Sequence, residues 1–350
     1  MNRELVEKIV KAMLYEGYML YPYRASALKN QQRWNFGVLF PERHNLVIAG
    51  VESSRMQSEC LVVAGAGATI RARVKFLHLV ERSVTDRRAA AHEAVAAAAL
   101  PEPAARTPQP ADSWQETDER EIVSPDIGLT ELCSRTTLRA FRLAPSDEEE
   151  LLRGPCGNPV VVRRMQEMIE GAVELRAAPV DDQVFKLTVQ ISNMTPVEGC
   201  HFDSRERALR RSMISTHTIL EINGGEFMSI IDPAERYGDA ARACRNIGTW
   251  PVLVGEEGER DCMFASPIIL YDYPQVAPES AGDFFDSTEI DEMLALRVMT
   301  LTEEEKQTMR EGDRSARRIL ERTESMPQEQ VMKLHGALRG LREIKREGRR

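Results

Sequence analysis

The first residues of the chain repeat apolar and polar positions with the period of an α-helix. Between Arg3 and Tyr15 the apolar residues fall on one stripe, and Gly17 follows where a helix commonly ends. We predict an amphipathic helix here. From Tyr18 to Val84 the apolar residues come instead in short runs separated by proline, glycine and asparagine, which is typical of strands. Thr69 to Lys75 alternates strictly, which predicts a half-buried strand.

The middle of the chain has the two-residue period of antiparallel strands. Val184 to Ser192 alternates between apolar and polar residues, and Met165 to Arg176 is its predicted partner. Asn223-Gly224 predicts a tight hairpin turn, because this dipeptide tolerates the positive φ angles that such a turn requires. Thr249 to Val254 and Cys262 to Tyr271 add two more strands. These strands predict a sandwich-like sheet domain.

Helix signals return in two places. Ser146 and Glu149 have the spacing of a capping box and predict a short acidic helix that ends near Gly154. After Pro278 two further capping boxes, together with Pro327, predict three more helices. Their predicted ranges are Ser287 to Met299, Glu303 to Glu324 and Pro327 to Lys345.

A composition shift divides the chain. Eight of the eleven residues from Ala89 to Ala99 are alanine, and four prolines follow, so this stretch cannot bury enough surface to order itself. The predicted fold class is α+β: an antiparallel β-rich, sandwich-like body with an N-terminal helix and a C-terminal helical segment. The predicted units are a helix with a β-rich region over 1–86, an Ala/Pro-rich linker over 87–117, the sandwich-like domain over 118–280 and a helical segment over 281–350.

Composition limits the class of protein. With 42% hydrophobic and 29% charged residues the chain is of the globular type, and its net charge of -9 makes nucleic acid an unlikely partner. No apolar run reaches the length of a membrane span, and the N-terminal residues lack the pattern of a secretory signal. The six cysteines form no C-x-x-C pair. We therefore expect a cytoplasmic protein with reduced thiols and no membrane span.

Two groups of residues have the composition of binding sites. Tyrosines interleaved with basic residues near the N-terminus can stack on planar groups and pair with anions, although the same mixture is typical of structural tyrosines or of a protein interface. The residues of this group are Tyr18, Tyr21, Tyr23, Arg24, Lys29, Arg33 and Trp34. The second group follows Trp250 and is a loop dense in carboxylates, which can hold a hard cation or face water. Its residues are Glu256, Glu257, Glu259, Arg260 and Asp261.

Soft metal ligands come together only at Cys200, His201 and His217. Thiolate and imidazole suit nickel, iron or zinc, and a Cys-His pair can also activate a nucleophile if the two groups meet in space. However, the spacing matches no standard structural zinc site, and the alternation of its strand predicts that His217 is exposed. The glycine run Gly65-Ala66-Gly67 is predicted to be a turn between strands, because it lacks the rest of a dinucleotide-binding fingerprint.

Three stretches resemble an uncharacterised bacterial protein family. They are Leu14 to Lys29-Asn30, Ser215 to Leu220, and the run from Gly248-Thr249-Trp250-Pro251 through Asp261 to Tyr273-Pro274. Members of that family are encoded beside genes for high-affinity nickel-iron uptake hydrogenases. The resemblance covers nearly the whole chain except the Ala/Pro linker and implies a hydrogenase-linked accessory context. It supplies no activity and no catalytic residues.

Charge along the chain favours contact with another protein. The segment from Glu256 to Glu305 has a formal balance of -12, whereas Arg314 to Arg350 has a balance of +6, and opposed segments of this kind can steer a partner. The leading hypothesis is a non-catalytic accessory, scaffold or maturation-associated protein that contacts a hydrogenase subunit or maturation factor. The alternative is a metal-binding or Cys/His-dependent enzyme that uses Cys200, His201, His217 and the acidic loop. A third hypothesis is nucleotide or nucleic-acid binding through the tyrosine-rich segment.

Overall fold

One strand of unusual length organises the sheet. The computed structural model describes residues 2–15, 36–86, 113–153, 159–197 and 205–275, together with residues 303, 306, 307, 310, 320, 321 and 324. β1 spans Arg55–Asp86, which is 32 residues, whereas a typical strand has about 5–6. The other strands are β2 Ser113–Val123, β3 Ile127–Gly128, β4 Thr137–Leu143, β5 Ser146–Arg153, β6 Pro159–Gln166, β7 Ile169–Pro179, β8 Val184–Asn193, β9 Ile214–Met228, β10 Trp250–Leu253 and β11 Cys262–Ser266.

The helices whose two ends are both described are short. They are α1 Arg3–Leu14, α2 Asn45–Ile48, α3 Leu129–Ser134, α4 Arg205–Leu209 and α5 Gly238–Arg242, with a 3₁₀ turn at Glu235–Tyr237 before α5. Only α1 exceeds two turns. A helix of its length is marginal in water, so its stability depends on packing against the sheet.

Both edges of β1 are paired along most of its length. Leu61 lies between β8 and β9, and Ser83 lies between β2 and β6. One side of β1 therefore carries β9 and then β6, and the other carries β8, β3 and then β2, all antiparallel. Further strands extend the sheet in the order β10-β11-β9-β1-β8-β7-β4, and β5 pairs with β6. The result is one curled, half-barrel sheet of 11 strands.

The alternation predicted for Thr69 to Lys75 is confirmed. Ile70, Val74 and Phe76 are completely buried in the main core, and the basic residues between them point to the opposite face. This core joins apolar residues of β1 to those of β7, β8 and β9, so the β-rich regions before and after residues 87–112 share one sheet and one core. The predicted antiparallel β-rich body with an N-terminal helix is confirmed, whereas a two-sheet sandwich is not what these strands form.

The hairpin predicted at Asn223-Gly224 is wrong. Both halves of β9 pair with the same strand, β1, and Gly224 uses its φ of +77° at an irregularity where the register shifts between Ala64 and Thr69. The glycine run of residues 65–67 lies opposite this point, inside β1 and not in a turn. The Asn-Gly dipeptide predicts a positive φ angle. A β-bulge can use such an angle as readily as a tight hairpin turn does.

The acidic helix predicted from Ser146 is also wrong, because these residues form β5. Its acidic side chains pair across to β6: Arg163 contacts Asp147, and Arg164 contacts Glu150 at 3.0 Å. Opposite charges on neighbouring strands stabilise a sheet in the same way that i,i+4 pairs stabilise a helix. The hairpin predicted between Met165 to Arg176 and Val184 to Ser192 is found as β7 and β8, and the two later strands are found as β10 and β11.

The predicted C-terminal helical segment is not supported by the structure. Seven scattered residues between 303 and 324 are described and helical, and they do not make up a helical segment. The helices predicted over 287–299 and 327–345 lie outside the described residues, as does the predicted linker up to residue 112. Its last five residues, 113–117, belong to β2.

Candidate functional site

Nine of the residues proposed from the sequence lie outside the described part of the chain. They are Tyr18, Tyr21, Tyr23, Arg24, Lys29, Arg33, Trp34, Cys200 and His201. Their roles stay predictions. The structure does place His217, Trp250 and the acidic loop, and these three fall in different surroundings.

His217 is fully buried, contrary to the exposure predicted from its strand. It lies on β9, and its ring stacks on Phe264 of β11 with 5.2 Å between centroids and 12° between planes. Ser215 Oγ lies 3.1 Å from His217 Nε2, which is a hydrogen bond, and the Met13 carbonyl of α1 faces the imidazole. Helix α1 covers this face of the sheet, which is why the alternation fails to expose the histidine.

The Ser215–His217 pair has the composition of a nucleophile and base, but its electrostatics do not suit that chemistry. Burial lowers the pKa of His217 to about 3, against 6.5 in the open chain. A general base works best when its pKa lies near the working pH, so this imidazole would accept the Ser215 proton poorly. Ser215 has a φ of +50° and is itself buried. The arrangement holds a neutral ring in place beneath α1.

The metal hypothesis receives no support from the described residues. Within them, no three histidine, cysteine, aspartate or glutamate side chains lie close enough together to hold a metal ion. Of the free cysteines there, Cys60 and Cys262 are buried, and burial holds the pKa of each thiol well above its usual value. Whether Cys200 and His201 bind nickel, iron or zinc is tested by elemental analysis of the purified protein.

The acidic loop fixes the start of α1. Asn2, the N-cap residue, donates from its amide side chain to Glu256 at 3.0 Å and from its backbone to Glu259 at 3.2 Å. Glu259 also accepts the backbone N–H of Glu256, and these hydrogen bonds hold the pKa of Glu259 below its usual value. Carboxylates near a helix N-terminus are stabilising. The chain itself thus uses two of the acids predicted to bind a cation or partner.

The rest of the predicted loop takes part in backbone pairing. The carbonyls of Arg260 and Asp261 accept hydrogen bonds from Phe227 and Ile222 of β9. Glu257 and the Arg260 side chain are exposed. The loop therefore joins α1 to β9 by hydrogen bonds, and the side chains of Glu257 and Arg260 extend into solvent.

A charge network holds the middle of α1 to the sheet. The Glu7 carboxylate contacts both Arg73 and Lys75 of β1, and Arg73 also pairs with Glu121 of β2 at 2.7 Å and with Glu221 of β9 at 3.5 Å. Partial burial of Glu7 raises its pKa, but hydrogen bonds from Lys75 and Arg73 lower the pKa by more. The pKa of Glu7 therefore lies below its usual value. Beneath the network, Val6, Ile9 and Val10 pack on Ile219, Val254, Cys262 and Phe264.

Four exposed apolar side chains lie in the β10–β11 hairpin or in segments that pack beside it. We define the hairpin rim as Phe36, Trp250, Ile269 and Tyr271, which are 51%, 41%, 74% and 84% exposed. Trp250 pairs with Ser266, and the chain then returns beside β10, where Tyr273 donates its backbone N–H to Leu253. Of the residues proposed from the sequence, Trp250 is the one in this surface.

Sequence patterns missed most of the functional geometry. Ser215 and His217 stand two residues apart in one strand, a spacing that puts both on the same face, and this signal was available. No comparable signal exists for Phe36, which is 214 positions before Trp250 in the chain. It is brought to the rim because Gly37, at a φ of +55°, packs directly on Pro267, leaving no room for a Cβ.

Comparison with other proteins adds no family assignment. No protein-family model matches the chain, and no curated protein matches it either. In the described part of the chain, no helix has both the length and the apolar character needed to cross a lipid bilayer.

Proposed function

We propose that this protein is an accessory module that acts by protein–protein contact, with the hairpin rim as its contact surface. The observation that carries the proposal is the exposure of two aromatic and one aliphatic side chain, Trp250, Tyr271 and Ile269, in the β10–β11 hairpin and the segment that follows it. Clustered exposed apolar residues are typical of interaction sites, and tryptophan and tyrosine are enriched where binding energy concentrates.

The backbone that presents the rim is firmly held. Leu253 donates its N–H to the Asp272 carboxylate at 2.8 Å, and Ser229 donates its hydroxyl to the same carboxylate at 2.5 Å. Tyr273 donates its hydroxyl to the Glu259 carbonyl at 2.9 Å. These bonds fix the returning chain on β10 and β9. A surface ordered before binding loses less conformational entropy on association, which favours affinity.

The class of partner follows from the sequence resemblance. That resemblance supports a subunit or maturation factor of a nickel-iron hydrogenase as the partner, and the stretch from Gly248 to Pro274 that contributes to it includes three of the four rim residues. The rim is largely uncharged. Contact with a complementary apolar groove on the partner fits this chemistry better than contact steered by charge.

Affinity purification from cells that express the hydrogenase tests both parts of the proposal. We expect tagged wild-type protein to recover a hydrogenase structural or maturation component. The double variant Trp250→Ala, Tyr271→Ala removes two exposed rings, and we expect it to recover about tenfold less, as loss of interface anchors typically does. Both proteins are loaded in equal amounts, and equal melting temperatures first establish that the variant is folded as stably as the wild type.

The matched control is the double variant Ile48→Ala, Leu138→Ala. Both residues are exposed apolar side chains, at 72% and 61%, and both lie outside the rim. This variant should recover the partner as well as the wild type does. Recovery of no hydrogenase component would rule out the hydrogenase context, and equal recovery by the rim variant would rule out the rim as the surface.

A further inference from the structure

The pairing of β4 with β7 and of β5 with β6 leaves one long strand edge with a neighbour on one side. The register of the first ladder continues unchanged in the second, because Leu143 lies opposite Ile169 and Ser146 lies opposite Gln166. Residues 137–153 therefore form one extended edge with a two-residue break between β4 and β5. In the described part of the chain, no strand pairs with its outer side.

The hydrogen bonds of β7 show which backbone groups of β4 lie on this outer edge. Glu170, opposite Arg142, uses both its N–H and its carbonyl for hydrogen bonds to the segment after β8. Arg142 and Glu170 are thus a non-hydrogen-bonded pair, in which the backbone groups of the two residues point away from each other. Because this pattern alternates along a strand, Leu138, Ala140 and Arg142 direct their N–H and C=O groups outward.

An open strand edge can pair with another chain, and proteins commonly block such edges. At β10 the returning chain does this, where Tyr273 donates its N–H to Leu253. Charges of one sign along an edge repel a second copy. Here the two halves carry opposite signs, with Arg139 and Arg142 in β4 and four consecutive acids at 147–150 in β5. A copy that runs in the opposite direction is therefore attracted.

The charges of this edge are available to a second chain. Among the described residues, Arg139 and Glu148 make no ion pair, and Glu149 reaches Arg163 only at 3.9 Å. The side chains of Glu149 and Arg142 are 65% and 68% exposed. A partner can contact all four groups without breaking a buried ion pair.

Antiparallel pairing of the edge with a copy of itself has few possible registers, because outward backbone groups must face outward backbone groups. The two central registers place a two-fold axis at the break between β4 and β5. Both bring Arg139 to Glu149 and Arg142 to Glu148, one pair directly opposite and the other diagonal. A two-fold axis repeats each contact, so four ion pairs form.

We propose that two copies of this chain associate through the outer edge of β4 and β5, joining their sheets in antiparallel fashion across a two-fold axis. Leu138 and Leu151 are 61% and 58% exposed along this edge, and pairing removes part of their surface from water. The edge shares no residue with the hairpin rim, so the association leaves the rim free and does not depend on the function proposed for it.

Sedimentation equilibrium of the full chain tests the association. We expect the mass to rise with concentration from 39.5 kDa to twice that value, with a dissociation constant of roughly 1–100 µM, because one pair of strands buries a small interface. Ala140→Pro removes an outward N–H and no hydrogen bond to β7, which an edge strand tolerates. It should weaken the dimer by at least about tenfold, and circular dichroism verifies that it is folded.

A charge exchange tests the register without a proline. Arg139→Glu and Glu149→Arg each bring like charges together twice in the dimer, so each should weaken it by about fivefold, and the combined variant should restore it. The two residues are ten positions apart along one extended edge, about 33 Å, so restoration cannot come from contact within one chain. Arg242→Glu, at a 75% exposed arginine of α5, is the matched control and should dimerise like the wild type.

Three outcomes would overturn the proposal. The first is a chain that stays monomeric up to about 200 µM, above the weakest expected dissociation constant. The second is a dimer that Ala140→Pro and both single charge variants leave unchanged, because it then uses another surface. The third is a combined charge variant that dimerises no better than the single variants. If Ala140→Pro does not fold, the charge variants decide.

Discussion

His217 shows how its surroundings change the chemistry of one side chain. In an open strand an imidazole titrates near neutral pH, whereas beneath α1 the burial of His217 lowers its pKa to about 3. His78 is a second case, because burial and the nearby Arg120 lower its pKa to about 4. Both rings are neutral in the folded protein at pH 6, so folding releases the protons that the unfolded chain holds.

We predict that acid destabilises the protein partly through these two rings. Below pH 6.5 the unfolded state binds more protons than the folded state, so the free energy of unfolding falls as the pH falls. Within its window each histidine contributes about 1.4 kcal/mol per pH unit. The window runs from pH 6.5 down to about 4 for His78 and to about 3 for His217.

Urea unfolding of the His217→Gln variant between pH 7 and pH 5 isolates the contribution of His217 to this pH dependence. The variant keeps a group that can bond Ser215, and the carboxylate contributions cancel in the comparison. We expect the wild type to lose more stability than the variant over this range, by up to about 1.4 kcal/mol per pH unit. Identical pH slopes would show that His217 does not stay neutral on folding.

At the scale of elements, α1 is held by apolar packing and by one carboxylate. Val6, Ile9 and Val10 are at most 2% exposed, and each fully buried aliphatic side chain contributes about 1.5–3 kcal/mol. Glu7 adds the contacts to Arg73 and Lys75, whose side chains are only 17% exposed. Removing the carboxylate would leave the partly buried Arg73 and Lys75 side chains without this ion-pair partner.

Glu7→Gln should therefore destabilise the protein by about 1–2 kcal/mol, a value reduced for the 40% exposure of the Glu7 side chain. Glu4→Gln is the control, because Glu4 is 81% exposed and pairs with Lys8 one turn away. It should cost at most about 0.5 kcal/mol. Equal midpoints for the two variants in chemical denaturation would contradict an anchoring role for Glu7.

Helices and strands were predictable where the periodicity of their own residues determines the structure. They were not predictable where pairing with a distant strand determines it. The stripe of α1 and the alternation of Thr69 to Lys75 identify their elements because burial follows the repeat of one face. Ser146 with Glu149 fits a helix start equally well, but pairing with β6 made it a strand. Asn223-Gly224 likewise signals positive φ without indicating that β1 runs past both sides of it.

The candidate sites were less predictable than the elements. Trp250 was identifiable as a contact residue, but the rest of the rim depends on how residues 36 and 37 meet Pro267. The surroundings of His217 combine β9, β11 and α1, because its ring stacks on Phe264 beneath the helix. Sequence periodicity reports burial within one element, whereas both sites depend on contacts between elements.

At the scale of the whole molecule, β1 makes the sheet a single unit. It pairs with β2, β3, β6, β8 and β9, so strands at opposite ends of the sheet are joined through it. We predict that the sheet unfolds in one cooperative transition. Single-tryptophan variants that retain only Trp114 in β2 or only Trp250 in β10 report from separate regions.

Their denaturation midpoints should coincide with each other and with the midpoint from far-UV circular dichroism. The other tryptophans are replaced by phenylalanine in each variant. The fluorescence midpoint of each variant is then compared with the circular-dichroism midpoint of the same variant. A fluorescence midpoint that differs from the circular-dichroism midpoint of the same variant would show that β1 does not couple the two regions.

The long separation of β1 from β9 along the chain also affects how the protein is made. Its partner β9 begins at Ile214, 128 residues after β1 ends. Ribosomes add about 5–20 residues per second, so the edge of β1 that pairs with β9 waits on the order of ten seconds for its neighbour. Nascent chains stalled before Ile214 should consequently bind chaperones, and release should coincide with synthesis of β9.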